Sequence, residues 1–284
     1  MGSIALVTDS TAYLPADMVA KHGITVVPLY VNFGDESYRD NIDIIPDDFY
    51  ARLPTAKVMP STSQPSRGDF AQVYQHLVDQ GATAIISVHI SSLLSGTVSS
   101  ALMARDDVPE VPIYVVDSLS TTMGLGFMVL EAVRQVAAGR PAEEIVRSLE
   151  AMRGNIRILF LVDTLEFLHR GGRIGGAAAF LGSMLSLKPL LTLRDGRIEA
   201  LERVRTKRRA LSRMLELVSE EMTGQTVRAA ILHAAVAEEG KALCDDLPQH
   251  LDCCEVYLTE LSPVIGTHTG PGALGVVLCP VPED

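Results

Sequence analysis

The residues best suited to chemistry are Arg170-Gly-Gly-Arg-Ile-Gly-Gly176, two arginines among four glycines, with no acidic residue between Glu166 and Asp195. A guanidinium offers a planar fork of donors matched to carboxylate or phosphate, and glycine lets a ligand come close to the backbone. The run therefore reads as a site for an external anion, with a flexible turn carrying solvated arginines as the plainer alternative. It is not a nucleotide loop, because it lacks the lysine and spacing of a P-loop and Arg173 breaks the dinucleotide fingerprint.

A second glycine-rich stretch, Thr267-His-Thr-Gly-Pro-Gly-Ala-Leu-Gly275, matches dinucleotide spacing in its last six residues. Only nine residues follow Gly275, too few for the βαβ unit that the fingerprint requires. Its glycines read instead as a loop that holds His268 over a pocket. Ser95, His268 and either Asp9 or Asp117 also form an alternative set, the nucleophile, base and orienter of a serine esterase or thioesterase. Leu94-Ser-Gly-Thr97, however, lacks the frame of a nucleophile elbow. No His, Asp or Glu cluster shows metal-ligand spacing, so no metal site is expected.

The elements that position these residues follow from pattern. Ile4 to Val7, Ile24 to Val31, Ala84 to Val88 and Ile113 to Val116 read as strands, alternating with helices over Pro15 to Lys21, Ser66 to Gln80, Thr121 to Ala138 and Pro141 to Met152. A short helix is expected near Pro46 to Leu53. This is the rhythm of a parallel α/β sheet, in which ligands sit beyond the carboxyl ends of the strands. Four hydroxyl-rich loops meet that condition: Thr8 to Thr11, Pro60 to Ser66, His89 to Thr97 and Asp117 to Thr121. Singly, each also reads as a helix cap.

The second half begins with a strand at Ile156 to Val162 and continues through the small and aliphatic segment 177 to 193. A hairpin follows over Leu190 to Val204, turning at Asp195-Gly196. The basic run Arg203 to Arg209 opens a helix reaching Met222, and strands follow at Val227 to Leu232, Glu255 to Leu261 and Gly275 to Cys279. The expected fold is α/β with two domains, a three-layer α/β/α parallel-sheet domain over 1–150 and a two-layer mixed-sheet domain over 151–284. The boundary falls between 140 and 156.

Composition narrows the function classes. Hydrophobic residues are 47% and charged residues 21% of the 284, and no apolar run approaches the length of a membrane span. Cys244, Cys253, Cys254 and Cys279 contain no Cys-x-x-Cys pair, so reduced thiols in a cytoplasmic protein are expected. The formal net charge is −11, yet residues 151–213 carry 13 Lys or Arg against 5 Asp or Glu, leaving −19 elsewhere. That is a docking face on an acidic protein rather than a phosphate-backbone track, and nucleic acid is not an expected partner. Hydroxyls and a neutral histidine can hold a carboxylate, while 177–193 can line an apolar tunnel. Burying about 14 methylenes at roughly 0.8 kcal/mol each gives on the order of 11 kcal/mol before association costs.

Thr8-Asp-Ser-Thr11, Ser61-Thr-Ser-Gln-Pro-Ser66, Ser91-Ser-Leu-Leu-Ser-Gly-Thr97, Arg170-Gly-Gly-Arg-Ile174 and Gly266-Thr-His-Thr-Gly-Pro-Gly272 together resemble the bacterial DegV family, in the family's order and over nearly the whole chain. The resemblance implies a DegV-like two-domain α/β protein that binds one long-chain fatty acid of the palmitate or oleate type, with no intrinsic cofactor. It also implies a non-catalytic subunit, which presents the carboxylate to a separate ATP-dependent fatty acid kinase subunit. That partner makes an acyl phosphate for phospholipid synthesis. Thr62, Ser95 and His268 match the carboxylate-binding residues, with Gly96, Thr97 and Thr269 as secondary head-group candidates. Arg173 and Arg205 match arginines suited to the phosphoryl group or to docking the kinase. His169 stands where the family often has a basic residue, and as a neutral group it weakens the positive field.

Overall fold

The computed structural model describes residues 3–182 and 187–281. The chain forms two compact units, one of residues up to Asp43 with Thr62–Gly154, the other of Ile44–Ser61 with Asn155 onward. The excursion of Ile44–Ser61 into the second unit has no signature in the sequence pattern.

In the first unit, β1 (Ser3–Asp9) leads to α1 (Ala16–His22), which stops at Gly23 with φ 60°, and then to β2 (Thr25–Val27). One strand was expected over Ile24 to Val31, but Pro28 has no N–H to give a ladder and the chain turns there. Ser10 Oγ takes the next amide, Leu29 N, at 3.1 Å. The chain resumes as β3 (Tyr30–Phe33), antiparallel to β4 (Glu36–Arg39). After α2 (Pro46–Arg52), which belongs to the second unit, β5 (Ser61–Ser63) completes a small sheet of order β4-β3-β5. Three of the seven residues read as a strand-exit loop at 60–66 thus form an edge strand.

The helix α3 (Arg67–Asp79) starts at a capping box, with Ser66 Oγ accepting from Asp69 N at 3.1 Å and Asp69 Oδ2 accepting from Ser66 N at 2.7 Å. There follow β6 (Ala82–His89), α4 (Thr97–Arg105), β7 (Ile113–Asp117), α5 (Thr122–Ala137) and α6 (Ala142–Met152). The main sheet is parallel, of order β2-β1-β6-β7. Helices α3 and α4 pack on β2, β6 and β7, and α5 and α6, which pack on each other, cover β1, β6 and β7 in a further layer. Val7, Phe70, Tyr74, Ile85, Ala101 and Ile113 form a core between sheet and helices.

The second unit contains β8 (Arg157–Leu161), α7 (Glu166–Arg170), β9 (Lys188–Arg194), β10 (Arg197–Val204), α8 (Lys207–Glu221) and β11 (Val227–His233). It ends with α9 (Ala237–Asp246), β12 (Cys253–Glu260), α10 (Pro263–Thr269) and β13 (Leu274–Pro280). Its mixed sheet has the order β10-β9-β8-β13-β11-β12, with only β11 and β12 parallel among the described residues. The β9–β10 hairpin turns at Asp195 and Gly196, both at positive φ (48° and 80°), as the Asp-Gly signal demands. Helices α8 and α9 cover the sheet, burying Leu159, Leu190, Met214, Val218, Ile231 and Leu243.

Two expectations change here. The stretch from Gly266, read as a glycine loop, is helical as far as Thr269, because Pro263 at the first helical position starts α10 and Gly270 at φ 72° ends it. Of the segment expected to line an acyl tunnel, residues 183–186 lie outside the described ones. Gly175–Phe180 is a 3₁₀ turn, and of 177–182 only Ala177 is buried, while Leu190 and Leu191 belong to the sheet core.

Candidate functional site

The first unit supplies a hydroxyl-lined turn between β6 and α4. Ser91, fully buried, is its anchor: its carbonyl accepts from Leu94 N (2.9 Å) and Ser95 N (3.1 Å), and its Oγ accepts from Leu93 N (3.2 Å). Ser91 N in turn donates to Ser120 O at 2.8 Å, tying the turn to the exit of β7. Ser95 is half-buried and its hydroxyl shares a 2.9 Å hydrogen bond with that of buried Thr97, the first residue of α4. Backbone N–H groups at such a helix start favour an oxyanion. A Cβ on Gly96 would lie 2.8 Å from Gln64 Nε2, so the chain just after Thr62 lies over this turn. The structure thus gathers Ser95, Gly96 and Thr97 at one edge of the first unit, with the Gln64 side chain, two residues after Thr62, against Gly96.

The second unit gathers His268, Thr269 and Arg173. His268 lies on α10 with its ring against Gly171, where a Cβ would be 2.2 Å from His268 Nδ1. Burial, reinforced by the Arg173 guanidinium, pushes its pKa down to about 4. The imidazole is therefore neutral at physiological pH, able to donate to an anion but carrying no charge of its own. Arg173 Nη1 donates to Gly171 O at 2.6 Å, which folds the arginine back over its own turn. Thr269 Oγ1 donates to Ile265 O at 3.1 Å, so its proton is committed to its own helix and only its lone pairs remain for a ligand. Helix α10 is braced within the unit by α2, whose Phe49 and Tyr50 rings occupy the space beside Gly266, while Tyr50 OH donates to Leu261 O at 3.1 Å.

The glycine-arginine run therefore works differently from a bare anion loop. Arg170 is paired with Glu166 at 2.6 Å on the surface of α7. Gly171 makes room for His268, and Gly175, at φ 51°, lies where a Cβ would be 2.3 Å from Ile198 O of β10. Glu199 packs against Gly176, bringing in the acidic side chain that the run itself lacks. Arg173 is the member of the run whose charge is felt by His268.

Arg205 occupies the turn between β10 and α8, in a groove of about 750 Å³ shared with Arg203, Arg208, Arg209 and Arg213. Arg213 is neutralised by Glu202 (2.9 Å) and Glu216 (2.9 Å), and Arg203 lies over the Phe180 ring at 4.5 Å. Arg205, Arg208 and Arg209 are exposed and make no ion pair among the described residues. Among those residues no group of three or more His, Cys, Asp or Glu is placed to hold a metal ion, and no helix is long and apolar enough to cross a membrane.

One constellation was not anticipated. In the core of the first unit, Tyr74 OH donates to Ser87 Oγ at 2.8 Å, Ser87 Oγ lies 2.6 Å from His89 Nε2, and His89 Nδ1 lies 3.1 Å from Asp9 Oδ2. All four side chains are fully buried. Asp9 Oδ2 also accepts from Ile90 N at 2.9 Å, while Oδ1 accepts from Thr11 N (3.0 Å) and Thr11 Oγ1 (2.6 Å). Four donors fill the four acceptor positions of the carboxylate, leaving none to orient His268 as a triad would need. Asp117 Oδ1 holds Ser92 N (3.2 Å) and Leu119 N (3.0 Å). The signal for the relay was Ser87 and His89, two residues apart in the buried run 84–89 whose other residues are apolar, which places both on one face.

Comparison with known proteins agrees with this architecture. The sequence model of the DegV family, described as an uncharacterised protein family, matches residues 3–281. A DegV domain-containing protein of Streptomyces coelicolor is 41% identical over 276 residues, 97% of this chain and 98% of the relative. A DegV family protein from Thermus thermophilus, whose structure was described for fatty acid binding, superposes with a TM-score of 0.94 at 41% identity, covering 99% of this chain and 100% of that one. DegV of Bacillus subtilis, described as a fatty acid binding protein, gives 0.91 at 38% identity over 99% of this chain and 100% of its own. The chain belongs to the DegV family.

Proposed function

We propose that this protein binds one long-chain fatty acid of the palmitate or oleate type and presents its carboxylate to a separate ATP-dependent kinase subunit for phosphorylation to an acyl phosphate. The observation that carries the reading is the full-length likeness to the fatty-acid-binding proteins of Thermus thermophilus and Bacillus subtilis. The chemistry of the side chains supports it. Ser95 and Thr62 offer hydroxyl donors beside the start of α4, and neutral His268 offers an N–H without the desolvation cost of a buried charge. Donors of this kind orient a head group, while the affinity comes from the hydrocarbon chain.

In this reading Arg173 and Arg205 act after binding. Phosphorylation adds negative charge, which Arg173 meets, and the exposed arginines at the β10–α8 turn dock an acidic face of the kinase subunit. Native mass spectrometry of the purified protein, followed by organic extraction, tests the first half and should reveal one fatty acid per chain. A protein that carries none and takes up neither palmitate nor oleate defeats the reading. For the second half, acyl phosphate made with ATP and a kinase subunit is trapped as the hydroxamate. Arg173→Ala should lower that yield well beyond any loss in palmitate affinity, and an equal loss of both would contradict the division of labour.

A further inference from the structure

We propose that Asp9 and His89 are positioning residues for the carboxylate site, the buried Tyr74–Ser87–His89–Asp9 relay fixing where the Ser91–Ser95 turn leaves the sheet. The inference rests on the fatty-acid reading for its ligand but not for its geometry. A single direction of donation satisfies every atom of the relay. Tyr74 OH donates to Ser87, Ser87 OH donates to His89 Nε2, and His89 Nδ1–H donates to Asp9. Phe70 packs edge-on against the imidazole with ring centroids 4.9 Å apart, holding its plane.

Asp9 is where this order is passed on. Its carboxylate grips the β1 exit through Thr11 N and Oγ1 and the β6 exit through Ile90 N. Two adjacent parallel strands are thus bolted together one residue before Ser91, from whose carbonyl the amides of Leu94 and Ser95 hang. Among the described residues the turn carrying Ser95 has no other buried carboxylate beneath it, since Asp117, which holds Ser92 N, is only partly buried. Recognition of a carboxylate by hydroxyls fails when the donors move by a fraction of an ångström, and a site is only as well placed as its supporting contacts. An alkyl chain makes no hydrogen bond, so loss of this support weakens the head-group contribution and spares the chain.

The test compares His89→Asn with His89→Gln, because asparagine carries its amide nitrogen near the place of Nδ1 and can keep the bond to Asp9, whereas glutamine reaches the Nε2 side. Dissociation constants for palmitate and for 1-hexadecanol are measured with each variant and with Asp9→Asn. His89→Gln and Asp9→Asn should weaken palmitate about tenfold or more, as expected for a hydrogen bond to a charged group, with hexadecanol held within about threefold. His89→Asn should keep both ligands within about threefold. Palmitate and hexadecanol weakening together would mean simple destabilisation and overturn the proposal, as would identical behaviour of the asparagine and glutamine variants. If Asp9→Asn does not fold, the His89 pair decides alone. Hydrogen exchange of the Ile90–Ser95 amides, read without lipid, should accelerate in His89→Gln and not in His89→Asn. Unchanged exchange in both refutes the relay even if the wild type binds no lipid, an outcome that separately defeats the fatty-acid reading.

Discussion

Gly171→Ala isolates the role of the first glycine in the arginine run. Gly171 has φ −73° and ψ −7°, a conformation alanine adopts freely, so backbone strain contributes nothing. On conformational entropy alone the substitution should stabilise by about 0.4–1 kcal/mol. The new methyl, however, would lie 2.2 Å from His268 Nδ1 and 2.9 Å from Cε1. The ring must retreat by about 1 Å to reach ordinary contact, and overfilling of this kind costs about 1–3 kcal/mol. The net expectation is a loss of about 1–2 kcal/mol in urea unfolding and, on the proposed function, weaker palmitate binding as the displaced imidazole leaves the head group. Nuclear magnetic resonance titration of the His268 ring should show its pKa rising from about 4 toward the ordinary histidine value as the ring moves from cover. The decisive arm is the same substitution in a His268→Ala background. There the obstacle is gone, and Gly171→Ala should be neutral or stabilising by up to about 1 kcal/mol. The same loss in both backgrounds would refute the claim that Gly171 exists to seat His268.

Other consequences are open to measurement. Because burial lowers the His268 pKa, the unfolded chain takes up a proton below about pH 6.5 that the native protein refuses until about pH 4. Stability is therefore whole above pH 6.5 and falls as pH drops toward 4, by up to about 3 kcal/mol from this group. His268→Gln should flatten that decline in unfolding experiments at pH 7 and 4.5, and an unchanged slope would count against it. Ser95→Ala should weaken palmitate by about 1.5–3 kcal/mol, read by calorimetry, with a smaller effect on hexadecanol, since only the carboxylate makes a charge-assisted bond. Arg205→Glu, at an exposed position without an ion pair among the described residues, should leave palmitate affinity within about twofold while reducing acyl-phosphate yield. That reduction should be steepest at low salt, and a salt-independent effect would argue against electrostatic docking.

What the sequence made legible was whatever is local. The parallel strands, the helix opening at Ser66 and the Asp195-Gly196 hairpin are each written within a few residues, and each is present. Helix α10 was misread because two glycines and two threonines in 266–270 argue against a helix, while its start signal, Ser262-Pro263, is a single dipeptide. The relay was missed because Asp9 and His89 lie 80 residues apart and only strand pairing brings them together.

The arginine-glycine run shows the same limit from the other side. Its residue types promised an anion loop, with glycines thinning the backbone for a ligand. In the structure Gly171 yields to His268, Gly175 to the backbone at Ile198 and Gly176 to Glu199, all groups supplied from later in the chain. These three glycines therefore serve the protein's own packing, and Glu166 takes Arg170. Arg173 stands beside a histidine whose neutrality it helps to enforce. A neutral donor next to a fixed positive charge suits a ligand that arrives as a carboxylate and leaves as a more highly charged acyl phosphate. On the proposed function, the imidazole orients the first and the guanidinium gains strength only with the second.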